Sequence, residues 1–148
     1  WWMTKILIKR LSKDVSLPKY ETNGSSGMDL AANIESNISI GPGKTEIIPT
    51  GLALSIPKGF EIQIRPRSGL AAKKNLSVLN TPGTIDSDYR GEIKVILINL
   101  GIDTFIVEKG LRIAQMVLCP IDRADLEEVD DLNKTQRGKG GFGSTGTK

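Results

Sequence analysis

The sequence predicts an all-β sandwich or barrel with at most one short helix. Short apolar runs recur along the chain between Gly- and Pro-containing turns. Several of those runs alternate apolar and polar residues with a period of two, as half-buried strands do. Only "SGLAAKK" at 68–74 has helical character, and it spans about two turns at most. One domain with one core suits 148 residues, of which 39% are hydrophobic and 25% charged.

The elements follow in order. "KILIKRL" opens the chain as a strand, and "NISI" runs into the turn "GPG" at 41–43. In "GLALSI" Leu52, Leu54 and Ile56 share one face; in "FEIQIRP" Ile62 and Ile64 alternate with Glu61, Gln63 and Arg65. "EIKVILINL" breaks that rule, because residues 95–98 are all apolar, which predicts a strand covered on both faces. "RIAQMVLCPI" is a further apolar strand. In the acidic run "DRADLEEVDD", Leu126 and Val129 fit either a helix turn or an edge strand, and the strand is favoured. The apolar period ends near Asn133, so residues 3–132 are expected to form the domain and 133–148 a flexible C-terminal arm.

Composition excludes several chemistries. The chain has no histidine, which rules out a histidine triad and a HExxH zinc site. Acid–base work near neutral pH would fall to Asp, Glu, Lys, Tyr or the one cysteine. Cys119 lies in the apolar run "QMVLCPI" and reads as a buried small hydrophobe; no intrachain disulfide is available, which suits a reducing, cytoplasmic setting. A net charge of +3 does not argue for nucleic acid, and no apolar stretch has the length of a membrane span. Trp1 and Trp2 precede Met3, which reads as the natural start.

The tail "RGKGGFGSTGTK" matches G-x-G-x-x-G at Gly138, Gly140 and Gly143. A dinucleotide fingerprint must follow a strand and open a helix, and here the chain ends five residues later. A Walker A loop would need a lysine before Ser144-Thr145. Two readings survive. One is a disordered Gly/Ser/Thr tail. The other is a segment that orders over a nucleotide, with Phe142 stacking on a base and Arg137 meeting phosphate.

Three internal stretches place polar residues where a core strand would not. In "RPRSGLAAKK", Arg67, Ser68 and Gly69 stand where a strand gives way to the helix, which is either a phosphate seat or an ordinary cap with a surface arginine. "NTPGTIDSDYRGEIK" reads as a β-hairpin or strand–loop–strand. Asn80 offers a donor and an acceptor to a flat polar edge, and Asp86, Asp88 and Tyr89 cluster in the loop. In "RIAQMV", Arg112 and Gln115 interrupt an apolar strand, and a buried Arg112 would need a carboxylate such as Asp86 or Asp88.

Together these stretches resemble the trimeric dUTPase family, deoxyuridine triphosphate nucleotidohydrolases. The family's five motifs stand in order as "GMDLAA" (27–32), "RPRSGLA" (65–71), "NTPGTIDSDYRGE" (80–92), "RIAQMV" (112–117) and "RGKGGFGSTG" (137–146). The one departure is Met28, where the family often has Tyr or Leu. The resemblance implies a distorted jelly-roll or β-clip barrel subunit and a homotrimer with active sites at subunit interfaces. It implies hydrolysis of dUTP to dUMP and pyrophosphate with Mg2+, and no nucleic-acid or membrane partner. Asp86 would be the general base for in-line attack of water at the α-phosphate. Tyr89 would lie under the deoxyribose. Asn80, Thr84, Ile85 and Lys94 would read uracil. Arg67, Ser68, Gly69 and Gln115 would hold phosphates. Arg137, Phe142, Gly143 and Ser144 would close over the substrate, and Asp29 would support the metal through water. A dCTP deaminase shares this fold, but the arrangement of Asp86 and Tyr89 favours the hydrolase. A catalytically silent nucleotide-binding protein on the same scaffold would have no use for Asp86.

Overall fold

In the computed structural model, which describes residues 3–148, ten strands and one helix follow each other along the chain. Trp1 and Trp2 lie outside the described residues. The strands are β1 (Leu7–Arg10), β2 (Met28–Ala31), β3 (Ile38–Ile40), β4 (Thr45–Ser55) and β5 (Phe60–Arg65). After α1 (Ser68–Lys74) come β6 (Leu76–Val78), β7 (Gly83–Ile85), β8 (Glu92–Asn99), β9 (Phe105–Val107) and β10 (Arg112–Pro120). One four-stranded sheet has the order β1-β4-β8-β6 and a second has β2-β10-β5-β7, while β3 and β9 form a two-stranded ribbon. Every pairing is antiparallel. This is the all-β jelly-roll expected from the sequence.

The period-two strands bury the faces they advertise. Leu52, Leu54 and Ile56 are buried, as are Ile62 and Ile64, and the two sheets share one continuous core. Its fully buried members include Leu30 on β2, Ile48 on β4, Ile62 on β5 and Leu97 on β8. Such a core stabilises each large aliphatic side chain by about 1.5–3 kcal/mol. Two polar residues, Thr50 and Asn99, are buried with them. Asn99 donates from Nδ2 to the carbonyls of Ile40 and Asp103, each at 2.8 Å, and accepts from the Gly101 amide at 2.9 Å. It thereby ties the end of β8 to β3 and to its own following turn, and burial costs little because its partners are present.

Three expectations need correction. β8 is not covered on both faces in the single chain. Ile93, Val95, Leu97 and Asn99 are buried, whereas Ile96 and Ile98 on the opposite face are only half-buried and the cross-strand neighbour Ile47 is 59% exposed. Among the described residues no third layer covers that face. The acidic run 122–131 is neither strand nor helix; it is exposed throughout, with Leu126 at 91%. A strand needs a partner edge, and this chain pairs none with it. Cys119 is half-buried rather than buried, at the end of β10 with the Arg65 guanidinium 3.8 Å from its sulfur.

β4 contains the sharpest backbone feature. Its pairing with β8 shifts register between Pro49 and Ala53, and Gly51 at that bulge has φ +70°. A Cβ at Gly51 would lie 2.6 Å from Val15 Cγ2 and 2.7 Å from Asn33 Nδ2. Its amide donates to Glu92 Oε2 at 2.9 Å, and the neighbouring Thr50 hydroxyl donates to the Ile93 carbonyl at 2.6 Å. The bulge therefore fixes where β8 begins. Gly51→Ala combines backbone strain with overpacking and should destabilise the fold by about 2–4 kcal/mol. Chemical denaturation would show a lower midpoint at unchanged slope; an unchanged midpoint would contradict the bulge's role.

Candidate active site

The end of β5 leads directly into the proposed phosphate seat. Arg67 is extended (φ −86°, ψ 132°) and occupies the N-cap of α1, with Ser68 as the first helical residue. No side chain caps this helix, because the guanidinium of Arg67 has only donors and cannot accept from the first-turn amides. Its Nε pairs with Asp29 Oδ1 at 3.1 Å, and its Nη1 donates to the Arg112 carbonyl at 3.2 Å. Arg112 approaches the other Asp29 oxygen at 3.4 Å and Glu21 at 3.4 Å. Arg112 is thus an exposed ion-pair residue on β10. The expected pairing with Asp86 or Asp88 is absent, because the strand face that carries Arg112 opens toward β2 instead.

Gln115 joins this group across the sheet. On β10 it stands opposite Asp29 of β2 on one side and Arg65 of β5 on the other. Its Nε2 donates to the Pro66 carbonyl at 3.0 Å. A Cβ at Gly27 would come within 2.5 Å of Gln115 Oε1, so the glutamine lies across a place that only glycine leaves open. Gln63, Arg65, Pro66, Ser68, Thr81, Pro82 and Gln115 line an open depression of about 520 Å³. Stretches 65–71, 80–92 and 112–117, far apart in sequence, meet there. Arg65 itself is braced on the outer face of β5, with Nη2 2.7 Å from Gln63 Oε1.

The stretch from Asn80 onward crosses between sheets. It is strand–loop–strand and not a hairpin: β7 pairs with β5 in the second sheet, while β8 pairs with β4 and β6 in the first. Asn80 packs over Gly83, where a Cβ would lie 3.3 Å from its Nδ2. β7 runs antiparallel to β5, with Gly83 opposite Ile64 and Ile85 opposite Ile62. Thr84 is exposed and Ile85 half-buried. Asp86 therefore leaves the strand toward the start of β5, about 10 Å along β7 from Gly83. It is exposed, and its carbonyl accepts the Tyr89 amide in a turn at 3.1 Å. The Tyr89 hydroxyl donates to the Glu92 carbonyl at 2.9 Å. Lys94 is exposed on β8, opposite Pro49.

The expected site residues thus fall into groups. Asp29, Arg67 and Gln115 converge with Ser68 and Gly69 at one end of the second sheet. Asp86 and Tyr89 stand at the far end of β7. Arg137, Phe142, Gly143 and Ser144 touch neither group through any recorded hydrogen bond. Among the described residues, those bonds from 133 onward stay inside the tail, as where Arg137 Nε donates to the Gly140 carbonyl at 2.8 Å. Phe142 is fully exposed with φ +44°, a conformation an L-residue holds only at a cost. The sequence reading missed Glu21, Gly27 and Glu92, although the glycine just before Met28-Asp29 was a local sign of close packing.

Lys109 hydrogen-bonds Asp14 and, with the Ser12 hydroxyl, holds the Asp14 carboxyl down to about 2. Among the described residues no group of three or more His, Cys, Asp or Glu is placed to hold a metal ion. Asp29 has an arginine at each oxygen. This donor set fits a hard cation that is carried by substrate phosphates and water, and does not fit a protein-built cage. No helix is long and apolar enough to cross a membrane.

The chain was compared with known proteins. The dUTPase family model matches residues 13–146. A deoxyuridine 5'-triphosphate nucleotidohydrolase of Rickettsia bellii is 56% identical over 145 residues, covering 97% of each chain. The enzyme of that name from Brucella melitensis is 57% identical over 138 residues, covering 92% of this chain and 88% of its own. Among solved structures, a mutant dUTPase of Staphylococcus bacteriophage 80alpha with dUpNHpp superimposes with a TM-score of 0.88 at 25% identity, covering 98% of this chain and all of that one. The phage phi11 dUTPase, described with a structural Mg(II) ion, shares the fold with a TM-score of 0.80 at 22% identity. The family model over most of the chain and relatives at 56–57% identity place the chain in the dUTPase family, as an enzyme that hydrolyses dUTP.

Proposed function

We propose that the chain converts dUTP to dUMP and pyrophosphate in a homotrimer, each site drawing on more than one subunit and on the C-terminal arm 133–148. The observation that supports this most directly is the separation within one chain. Arg67 and Ser68 lie at one end of β5, and Asp86 lies toward the other. A base and a phosphate seat so divided work together only if neighbouring copies complete each other's sites. The half-covered face of Ile96, Ile98 and Ile47 gives such neighbours apolar surface to bury.

The reaction then follows from the residues. The Asp86 carboxylate accepts a proton from a water aligned for attack at the α-phosphorus, in a chain with no histidine to do so. Arg67 meets phosphate oxygens with a guanidinium already oriented by Asp29, so little ordering cost remains on binding. Ser68 and the Gly69 amide stabilise charge on the leaving pyrophosphate. Gln115 adds a polar contact beside them. Mg2+ bound to the triphosphate supplies charge neutralisation, and Asp29 serves it through water and through the arginines it holds. Asn80, the backbone of Thr84 and Ile85, and Lys94 read uracil, where cytosine would set donor against donor. Tyr89 excludes a 2′-hydroxyl. Phe142 stacks on the base, Arg137 meets the γ-phosphate, and Gly143 and Ser144 close over the chain of phosphates. Removal of dUTP would keep uracil out of DNA, and the product dUMP would feed thymidylate synthesis.

Pyrophosphate release compared across dUTP, dCTP, dTTP and UTP tests the assignment; strong preference for dUTP is expected, and equal rates would reject it. Asp86→Asn should lower kcat by about two to four orders of magnitude while a non-hydrolysable dUTP analogue still binds. An unchanged kcat would remove Asp86 from the base role. Deleting 137–148 should leave folding intact and abolish most turnover. Normal activity in the shortened enzyme would reject the closing arm.

A further inference from the structure

We infer that Gly91 and the Glu92 backbone form the seat that positions Tyr89, and so set discrimination between deoxyribose and ribose. This rests on the reading that Tyr89 faces the sugar. Gly91 does not have a positive φ, so its backbone conformation is open to any residue. The requirement for glycine is steric. A Cβ there would lie 2.6 Å from Tyr89 Cζ and 3.0 Å from its Cε1, and would also strike the hydroxyl. The hydroxyl end and one edge of the tyrosine ring thus occupy the space a side chain at Gly91 would need, and any larger residue displaces them.

The seat is anchored to the core through Glu92. Its carbonyl accepts the Tyr89 hydroxyl at 2.9 Å, and its side chain accepts the Gly51 amide at 2.9 Å. Gly51 is the bulge that fixes the start of β8, and Thr50 next to it holds the Ile93 carbonyl. Although Tyr89 is 44% exposed, its position is therefore referred to the buried β4–β8 pair rather than to its exposed loop. Discrimination by exclusion needs such a fixed wall, because a ring that swings aside admits the 2′-hydroxyl it should reject. Gly91 and Glu92 are positioning residues; neither touches substrate in this account.

The test is a double-mutant cycle read as the ratio of kcat/KM for dUTP over UTP. Gly91→Ala in the folded enzyme should lower that ratio about tenfold. Tyr89→Ala should lower it at least as far, and adding Gly91→Ala to Tyr89→Ala should change it no further. A merely structural glycine would lower activity on both nucleotides alike and leave the ratio unchanged, which would overturn the inference. Equal falls in both backgrounds would overturn it too. If Gly91→Ala fails to fold, Tyr89→Phe removes only the bond to the Glu92 carbonyl, and an unchanged ratio there counts against the seat. Should the unaltered enzyme show no preference for dUTP over UTP, or Tyr89→Ala leave the preference intact, the tyrosine's assignment fails first and takes this inference with it. If both hold and only Gly91→Ala and Tyr89→Phe are silent, the inference fails alone.

Discussion

The double pairing of β10 is the constraint on which the rest of the molecule depends. Residues 112–120 pair with β2 on one side and β5 on the other. That arrangement puts Asp29, Gln115 and Arg65 in one row, although they come from three separated stretches. Register decides the outcome. A shift of one residue would turn Gln115 into the core and Met116 out of it. Burial of Ala114 and Met116 therefore holds the polar row in place. The hydrophobic core and the polar row are two faces of the same strand.

The charges near that row show how a site is made ready at modest cost. Arg67 sits at a helix start that lacks a capping side chain, and its guanidinium is drawn off to Asp29 and the Arg112 carbonyl. With its side chain 35% exposed, it remains in contact with water and avoids the penalty of a buried charge. The ion pair is worth little as stability in such a setting. Its value lies in orientation, since an arginine already fixed loses less freedom when a phosphate arrives.

A second line of organisation runs from the β4 bulge to Tyr89. Gly51, with a conformation suited to glycine, receives Glu92, and Glu92 receives the tyrosine hydroxyl. The C-terminal arm is the opposite case. Its glycines allow tight local turns, and Phe142 stands fully exposed in a strained conformation. An aromatic ring in that position has gained nothing from folding of its own chain. Its apolar surface is left for a partner, which the proposed stacking on uracil would supply.

Local pattern made much of this legible. Period two marked the inward faces of residues 52–56 and 60–65, and the run at 68–74 marked the one helix, because side-chain alternation depends only on the strand itself. Motif order pointed to the family. What the sequence could not specify was which strand pairs with which. β7 joins the second sheet instead of folding back on β8; Arg112 meets Asp29 and Glu21 instead of Asp86 or Asp88; residues 122–131 find no strand partner in their own chain. Each of those outcomes depends on residues distant in sequence, brought together by burial and register. The sequence by itself thus determined the strands, their faces and the chemical inventory. Only the tertiary structure decided that β10 would gather Asp29, Arg67 and Gln115 at one end of a sheet and that β7 would carry Asp86 away from them.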